Sequence, residues 1–277
     1  MINIPNLFME NSIIGIVGPN GSGKSTLLKI ISGCIDDFKG SSLVDGINIV
    51  ENHKDCARKI GALIENPWLY SYVNSYEMLE IAHKLRKGEK CIGEEIEEDL
   101  KSLGLLHKKN VPLRDLSSGE KKRLSIGLAV TGSPDIIILD EPTDNMDAVG
   151  VDMFENLINR LKNERERLII ITSHDLDIIG KICDRIIFLM GGEIRKDLEL
   201  KGEGYYFILH TDENFKPEIM GDFSTEYSDK GKIAVWIDNE EKLNKFFRII
   251  SEKRIRIKNI AKITRAELEY KKIMGSK

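Results

Sequence analysis

The sequence predicts an α/β fold built on a parallel sheet, followed by a small α+β unit. Three observations carry this. Apolar runs that read as buried strands, Ile136–Asp140, Leu168–Thr172 and Arg185–Met190, alternate with helical segments at Val151–Asn163 and Leu176–Lys181. A further run, Ile13–Val17, feeds a glycine-rich loop and then an apolar-periodic helix, Leu27–Ser32. Beyond Gly191-Gly192 the texture changes to strands at Tyr205–His210, Ile233–Ile237 and Ile255–Ile263, with a helix around Glu240–Ser251.

The stretches between these elements have their own signals. Lys39-Gly40 and Asp45-Gly46 read as turns of a hairpin-like segment. From Tyr76 to Leu106 the pattern is helical and charged, and Glu94, Glu95, Glu97, Glu98 and Asp99 read as one solvated helix face. Strict alternation in Arg254-Ile255-Arg256-Ile257-Lys258 predicts a half-buried strand. Residues 241–277 hold 12 Lys and Arg against 4 acids, which reads as a solvated basic face, with anionic lipid head groups as the other reading.

Composition bounds the function. The 277 residues carry 41 Lys and Arg against 45 Asp and Glu, a net charge of -4, which argues against a polycation built for nucleic acid. Hydrophobic residues at 41% are enough for a packed core and exclude a disordered chain. No apolar run approaches the roughly 18–20 residues of a membrane span, and Met1–Pro5 lacks the basic start of a secretory signal. Cys34, Cys56, Cys91 and Cys183 are scattered with no CxxC pair, as for reduced thiols in a cytosolic protein.

Gly18-Pro19-Asn20-Gly21-Ser22-Gly23-Lys24-Ser25-Thr26 matches GxxxxGK[ST] between a predicted strand and a predicted helix. Glycines let such a loop curl so that successive amides point at phosphate oxygens, and the following helix adds its positive end. Lys24 is placed to reach the β- and γ-phosphates and Ser25 to ligate Mg²⁺. The second acidic site is Asp140-Glu141, at the end of the run Ile136–Leu139. Asp140 there suits Mg²⁺, and Glu141 is placed to orient or deprotonate an attacking water.

Leu116-Ser117-Ser118-Gly119-Glu120 resembles the LSGGQ signature of the ATP-binding subunits of ABC transporters. Asn145-Met146-Asp147 is similar to the family's D-loop, and Ser173-His174-Asp175 to its switch-histidine loop. The resemblance covers about residues 10–192 in family order. It implies a P-loop NTPase of the ABC type at residues 1–200, with a RecA-like sheet and an inserted helical subdomain at about 67–132; residues 203–277 form the C-terminal α+β extension. The cofactors implied are ATP and Mg²⁺. Two such subunits would close head to tail on ATP, with Ser117, Ser118, Gly119 and Glu120 of one facing the nucleotide of the other. Asp147 would cross that interface, and His174 would contact the γ-phosphate. Independently of family, Ser117 reads as an N-cap. His53, His83, His107 and His210 lack such a setting and read as structural.

Two departures bear on function. The family's Gln beside the metal is replaced by Glu65, which adds a charged ligand; Ile60–Tyr70 thereby looks like the bacitracin-export and lantibiotic-immunity branch. Only seventeen residues precede Gly18, too few for the family's adenine-stacking aromatic. Phe8 is a substitute platform, though core packing is the reading preferred for it. Pro67, Trp68, Leu69, Tyr70, Tyr72 and Tyr76 mark either a local core or the groove for a separate multi-span permease. The expectation is an ATPase subunit, peripheral on the cytoplasmic face of the membrane, that powers export of peptide antibiotics or related compounds. The alternative is a soluble ABC ATPase of translation or DNA maintenance.

Overall fold

The computed structural model describes residues 2–64, 72–88, 93–200, 204–211, 220–221, 223–229 and 232–275. It divides into two compact units, Met1–His174 with Ile182–Leu198, and Asp175–Lys181 with Glu199–Lys277.

The first unit begins with β1 (Ile13–Val17) and α1 (Lys24–Ile31). The helix therefore starts inside the glycine-rich motif, three residues before the Leu27 expected from apolar periodicity. A short hairpin follows, β2 (Leu43–Val44) and β3 (Ile47–Asn48), around Asp45-Gly46. Both turn residues have positive φ, 51° and 78°, as a two-residue hairpin turn requires. The turn expected at Lys39-Gly40 has no strand before it. Next come α2 (His53–Lys59), β4 (Ile60–Leu63), α3 (Ser75–Lys87), α4 (Gly93–Ser102), α5 (Ser118–Val130) and β5 (Ile136–Leu139). The unit continues with α6 (Ala148–Glu164), β6 (Leu168–Thr172), α7 (Leu176–Ile182), β7 (Arg185–Met190) and β8 (Glu193–Glu199). Of these, α7 clusters largely with the second unit.

The strands form one sheet in the order β4-β5-β6-β1-β7-β8. The neighbours from β4 to β7 are parallel, with Ile16 opposite Thr172 and Leu139 opposite Ile171. Strands buried on both faces need no alternation, which is why they read as near-continuous Ile and Leu runs. Ile14, Ile16, Ile138, Ile170 and Ile187 are completely buried. Parallel register carries the ends of β1, β5 and β6 to one edge of the sheet, where open α/β sheets bind ligands.

The helical part packs α3, α4 and α5 together through Leu79, Ile96, Leu100 and Leu124, all nearly or fully buried. Glu94, Glu97 and Glu98 of the acidic run face solvent as expected. Glu95 and Asp99 are only part-exposed, and they lie 3.7 and 3.5 Å from the two ring nitrogens of buried His83. His83 thus has partners that sequence reading did not give it. Asp99 also accepts a hydrogen bond from Thr131 Oγ1 at 2.6 Å, tying α4 to the end of α5. Gly61 lets α5 approach β4, since a Cβ there would lie 1.8 Å from the Ala129 carbonyl oxygen.

The second unit contains β9 (Tyr205–His210), β10 (Thr225–Asp229), β11 (Lys232–Ile237), α8 (Glu240–Glu252), β12 (Asn259–Ile263) and α9 (Arg265–Gly275). Its antiparallel sheet runs β10-β11-β9-β12. Phe246 of α8 packs with Leu209, Ile233, Val235 and Ile237 on one face, and Leu268 of α9 with Tyr206, Ile208 and Ile263 on the other. The alternating segment Arg254–Lys258 is irregular rather than strand, and the ladder opens only at Asn259. Ile255 and Ile257 still pack on the α8 face, so the alternation reports burial without pairing.

Candidate functional site

The loop after β1 is shaped by steric necessity. A Cβ on Gly18 would sit 2.0 Å from the Leu189 carbonyl oxygen, so only glycine lets the chain leave the sheet there. Gly23, at φ 104°, occupies the N-cap of α1 and supplies no side-chain cap, leaving the first-turn amides as donors. Ser22 is buried and its Oγ has no hydrogen-bond partner. An orphaned buried hydroxyl is costly unless a ligand satisfies it, so this cradle fits a phosphate. Lys24, 7% exposed, donates to the Gly18 carbonyl at 2.8 Å and lies 3.7 Å from Glu141 Oε1.

The acidic side is built from β5 and β6. The Asp140 amide extends the ladder to the Leu63 carbonyl at 2.7 Å. Glu141 then turns sharply, with φ 45°, in the left-handed region. Its Oε2 accepts from the His174 amide at 3.1 Å, and its Oε1 lies 3.0 Å from His174 Nε2. That second approach is off the hydrogen-bonding line, so Oε1 is buried with no hydrogen bond accepted. Burial pushes the Glu141 carboxyl above the usual range, against His174 and Lys24, which pull it down.

Ser25 is exposed at the start of α1, so a hydroxyl and the Asp140 carboxylate are the hard oxygen donors offered there. These suit Mg²⁺, which takes few protein ligands and keeps waters and substrate phosphates. No cluster of three His, Cys, Asp or Glu suited to a metal occurs among the described residues. Glu65 lies outside the described residues, as do Pro67, Trp68, Leu69 and Tyr70.

The signature segment forms the N-terminus of α5. Ser117 Oγ accepts from the Glu120 amide at 3.3 Å, and Glu120 Oε2 accepts from the Ser117 amide at 2.8 Å, a complete capping box. Lys108 lies 2.6 Å from Glu120 Oε1 and, with these bonds, holds that carboxyl at about 2. No hydrogen bond or ion pair among the described residues joins Ser117–Glu120 to Gly18–Thr26. Asp147 caps α6, its Oδ1 accepting from the Gly150 amide at 2.8 Å.

Phe8 does not pack in the core: it is 71% exposed. Its carbonyl accepts from Arg185 at the start of β7, whereas the phosphate loop abuts Leu189 near the end of that strand. Of the residues before β1, Ile2 lies beside Gly23 of the loop.

Sequence reasoning missed two residues of the acidic side. Thr172 bonds both Asp140 and Glu141; the signal was a hydroxyl closing an otherwise aliphatic strand. Lys122 is part-buried and feels Asp144, Asp140 and Glu141, though burial dominates and lowers its pKa; its place after the signature gave no hint.

A glycine-lined phosphate cradle, a lysine over it and a carboxylate pair at the same sheet edge define a P-loop nucleotide-binding protein. A family model described as "ABC transporter" matches residues 5–144, and the chain belongs to that family. The uncharacterized ABC transporter ATP-binding protein YdbJ of Bacillus subtilis is 33% identical over 70% of this chain and 62% of its own length. The chain thus spans less than two thirds of that relative. The bacitracin transport ATP-binding protein BcrA of Enterococcus faecalis is 33% identical over 72% of this chain and 65% of its own. The dimeric ATP-binding cassette MJ0796, in a post-hydrolysis state with ADP and phosphate, superposes with a TM-score of 0.66 at 27% identity, covering 72% of this chain and 90% of that one. No helix among the described residues is long and apolar enough to cross a membrane.

Proposed function

We propose that this chain is the ATP-hydrolysing subunit of a transporter, working as a dimer on a separate multi-span permease. The observation that carries the reading is Glu141 Oε1, a buried carboxylate oxygen that accepts no hydrogen bond and lies 3.7 Å from the phosphate-loop lysine. A general base needs such a free oxygen and a raised pKa. Loop amides and Lys24 bind the phosphates, and Ser22 Oγ gains a partner there. Ser25, Asp140 and Glu65 would hold Mg²⁺, which when bound neutralises phosphate charge. Glu141 takes the proton of the attacking water, and His174 fixes its carboxylate while reaching the γ-phosphate. The α5 N-terminus of a second subunit, with Ser117 to Glu120, closes the nucleotide from the far side, and Asp147 lies at that interface. Hydrolysis reopens the pair. The same reading places the chain on the cytoplasmic face of the membrane.

The likeness to BcrA and the Glu at position 65 support export of peptide antibiotics or related compounds. The names of both relatives refer to transport, which does not favour a role in translation or DNA maintenance. Glu141→Gln removes the base and keeps the shape. It should leave ATP binding intact and lower turnover by about 100-fold or more; undiminished steady-state turnover would refute the assignment. Co-purification with the permease, then stimulation of the ATPase by bacitracin, tests the cargo.

A further inference from the structure

Thr172 is the last residue of β6 and is completely buried. Its neighbours along the strand, Ile169, Ile170 and Ile171, are aliphatic and completely buried. A hydroxyl in that setting needs partners, and its partners are the two acids of the site. Thr172 Oγ1 donates to Asp140 Oδ1 at 2.5 Å and accepts from the Glu141 amide at 2.9 Å.

The polarity of this pair of bonds is forced. A backbone amide can only donate, so the hydroxyl accepts from Glu141. An ionised carboxylate can only accept, so the single hydroxyl proton goes to Asp140. One oxygen of Asp140 is thereby oriented, and its other oxygen is left for solvent or metal. On Glu141 the same hydroxyl holds the backbone at φ 45°, a conformation that a residue with a Cβ adopts only when its surroundings impose it. His174, two residues further on, grips the Glu141 carboxylate from the other end.

We propose that Thr172 is a positioning residue that sets the metal-binding acid Asp140 and the general base Glu141 as one unit, through a single hydroxyl. The inference rests on the ATPase reading for those two acids. Outer partners that orient ligands typically change metal affinity or activity by about 10- to 100-fold when lost.

Thr172→Val keeps the shape and removes both bonds; Thr172→Ser keeps the hydroxyl and removes only the methyl. Two readouts are needed. In the first, kcat, KM for ATP and the Mg²⁺ concentration for half-maximal ATPase are measured. Thr172→Val should lower kcat about 10-fold and raise the Mg²⁺ midpoint several-fold, with KM within about twofold, while Thr172→Ser stays within about threefold of the parent. In the second, Mn²⁺ is titrated by electron paramagnetic resonance into the protein saturated with a non-hydrolysable ATP analogue. Thr172→Val should weaken Mn²⁺ binding and Thr172→Ser should not. Parent-like values for Thr172→Val in both readouts overturn the proposal. So do equal losses in Val and Ser, because packing rather than the hydroxyl would then matter. Should Thr172→Val fail to fold, Thr172→Ala replaces it under the same criteria. An ATPase-silent parent would sink the catalytic reading, and the Mn²⁺ titration would still decide the role of Thr172 at Asp140.

Discussion

At Glu141 burial raises the carboxyl pKa, and one oxygen is left without a hydrogen bond. At Glu120 the bond from Lys108, with those of the capping box, drives the carboxyl down to about 2, and every partner it needs comes from its own chain. One glutamate is held ready for a proton and the other is fixed as an anion. The phosphate loop repeats the contrast: Ser22 Oγ is orphaned, while Ser117 Oγ is satisfied. The difference teaches where the chemistry lies. At the edge formed by β1, β5 and β6, Ser22 Oγ and Glu141 Oε1 are both buried without a hydrogen bond. The start of α5 is a finished surface, suited to being presented to something else.

The largest effect should come from the unsatisfied side. Lys24→Ala removes the charge that would neutralise an anion held by the loop amides and leaves Glu141 without its near cation. ATP affinity by calorimetry should fall by about 100-fold, the scale of losing charge-assisted hydrogen bonds in a buried site. Unchanged affinity would erase the distinction between the two regions. The finished side should respond more mildly. Ser117→Ala costs about 1 kcal/mol of helix-start stability, which amounts to roughly a fivefold shift in an equilibrium. Turnover at high protein concentration should fall by about that factor, with nucleotide affinity of the isolated subunit unchanged. A 100-fold loss of affinity in Ser117→Ala would mean that the signature binds nucleotide within its own chain.

The fold was legible where one force dominates. Strands buried on both faces announce themselves as Ile and Leu runs, so β1, β5, β6 and β7 were placed to within a residue. Periodicity misplaced the start of α1, because Lys24, Ser25 and Thr26 are polar and carry no apolar pattern. It over-extended β12, since Arg254 at φ 48° keeps the chain irregular until Asn259. β8 was missed because its residues alternate between exposed and part-buried, with no apolar run. In the site, residues with a motif were found, and Thr172 was not. Its role depends on register between β5 and β6, which brings a residue 32 positions away to Asp140. The pairing of Asp99 with His83 was not legible for the same reason, being a tertiary contact between α3 and α4.

The raised carboxyl of Glu141 makes a signed prediction. A base works only when deprotonated, so the acid limb of kcat should lie above the pH at which an ordinary exposed glutamate ionises. Glu141→Asp, with a shorter reach, should lower the plateau without erasing the limb. Loss of the limb in a variant that keeps Glu141 would assign it to another group.

The smallest effect belongs to Glu120, and its sign is opposite. Its folded pKa of about 2 lies below the 4.5 of an ordinary glutamate, so its ionised form stabilises the native state. That contribution is fully present above pH 4.5 and is lost as pH falls toward 2. Glu120→Gln cannot lose what it lacks, so its stability should fall less steeply than that of the parent through this window. Denaturant titrations followed by circular dichroism from pH 5 to pH 2.5 would measure the two slopes. Lys108→Met should flatten the parent's slope in the same way, because Lys108 is the principal cause of the depression. Parallel slopes in all three proteins would mean that the ion pair contributes nothing beyond what solvent supplies. The start of α5 would then rest on the Ser117 cap alone, and Glu120 would be free to meet whatever approaches it.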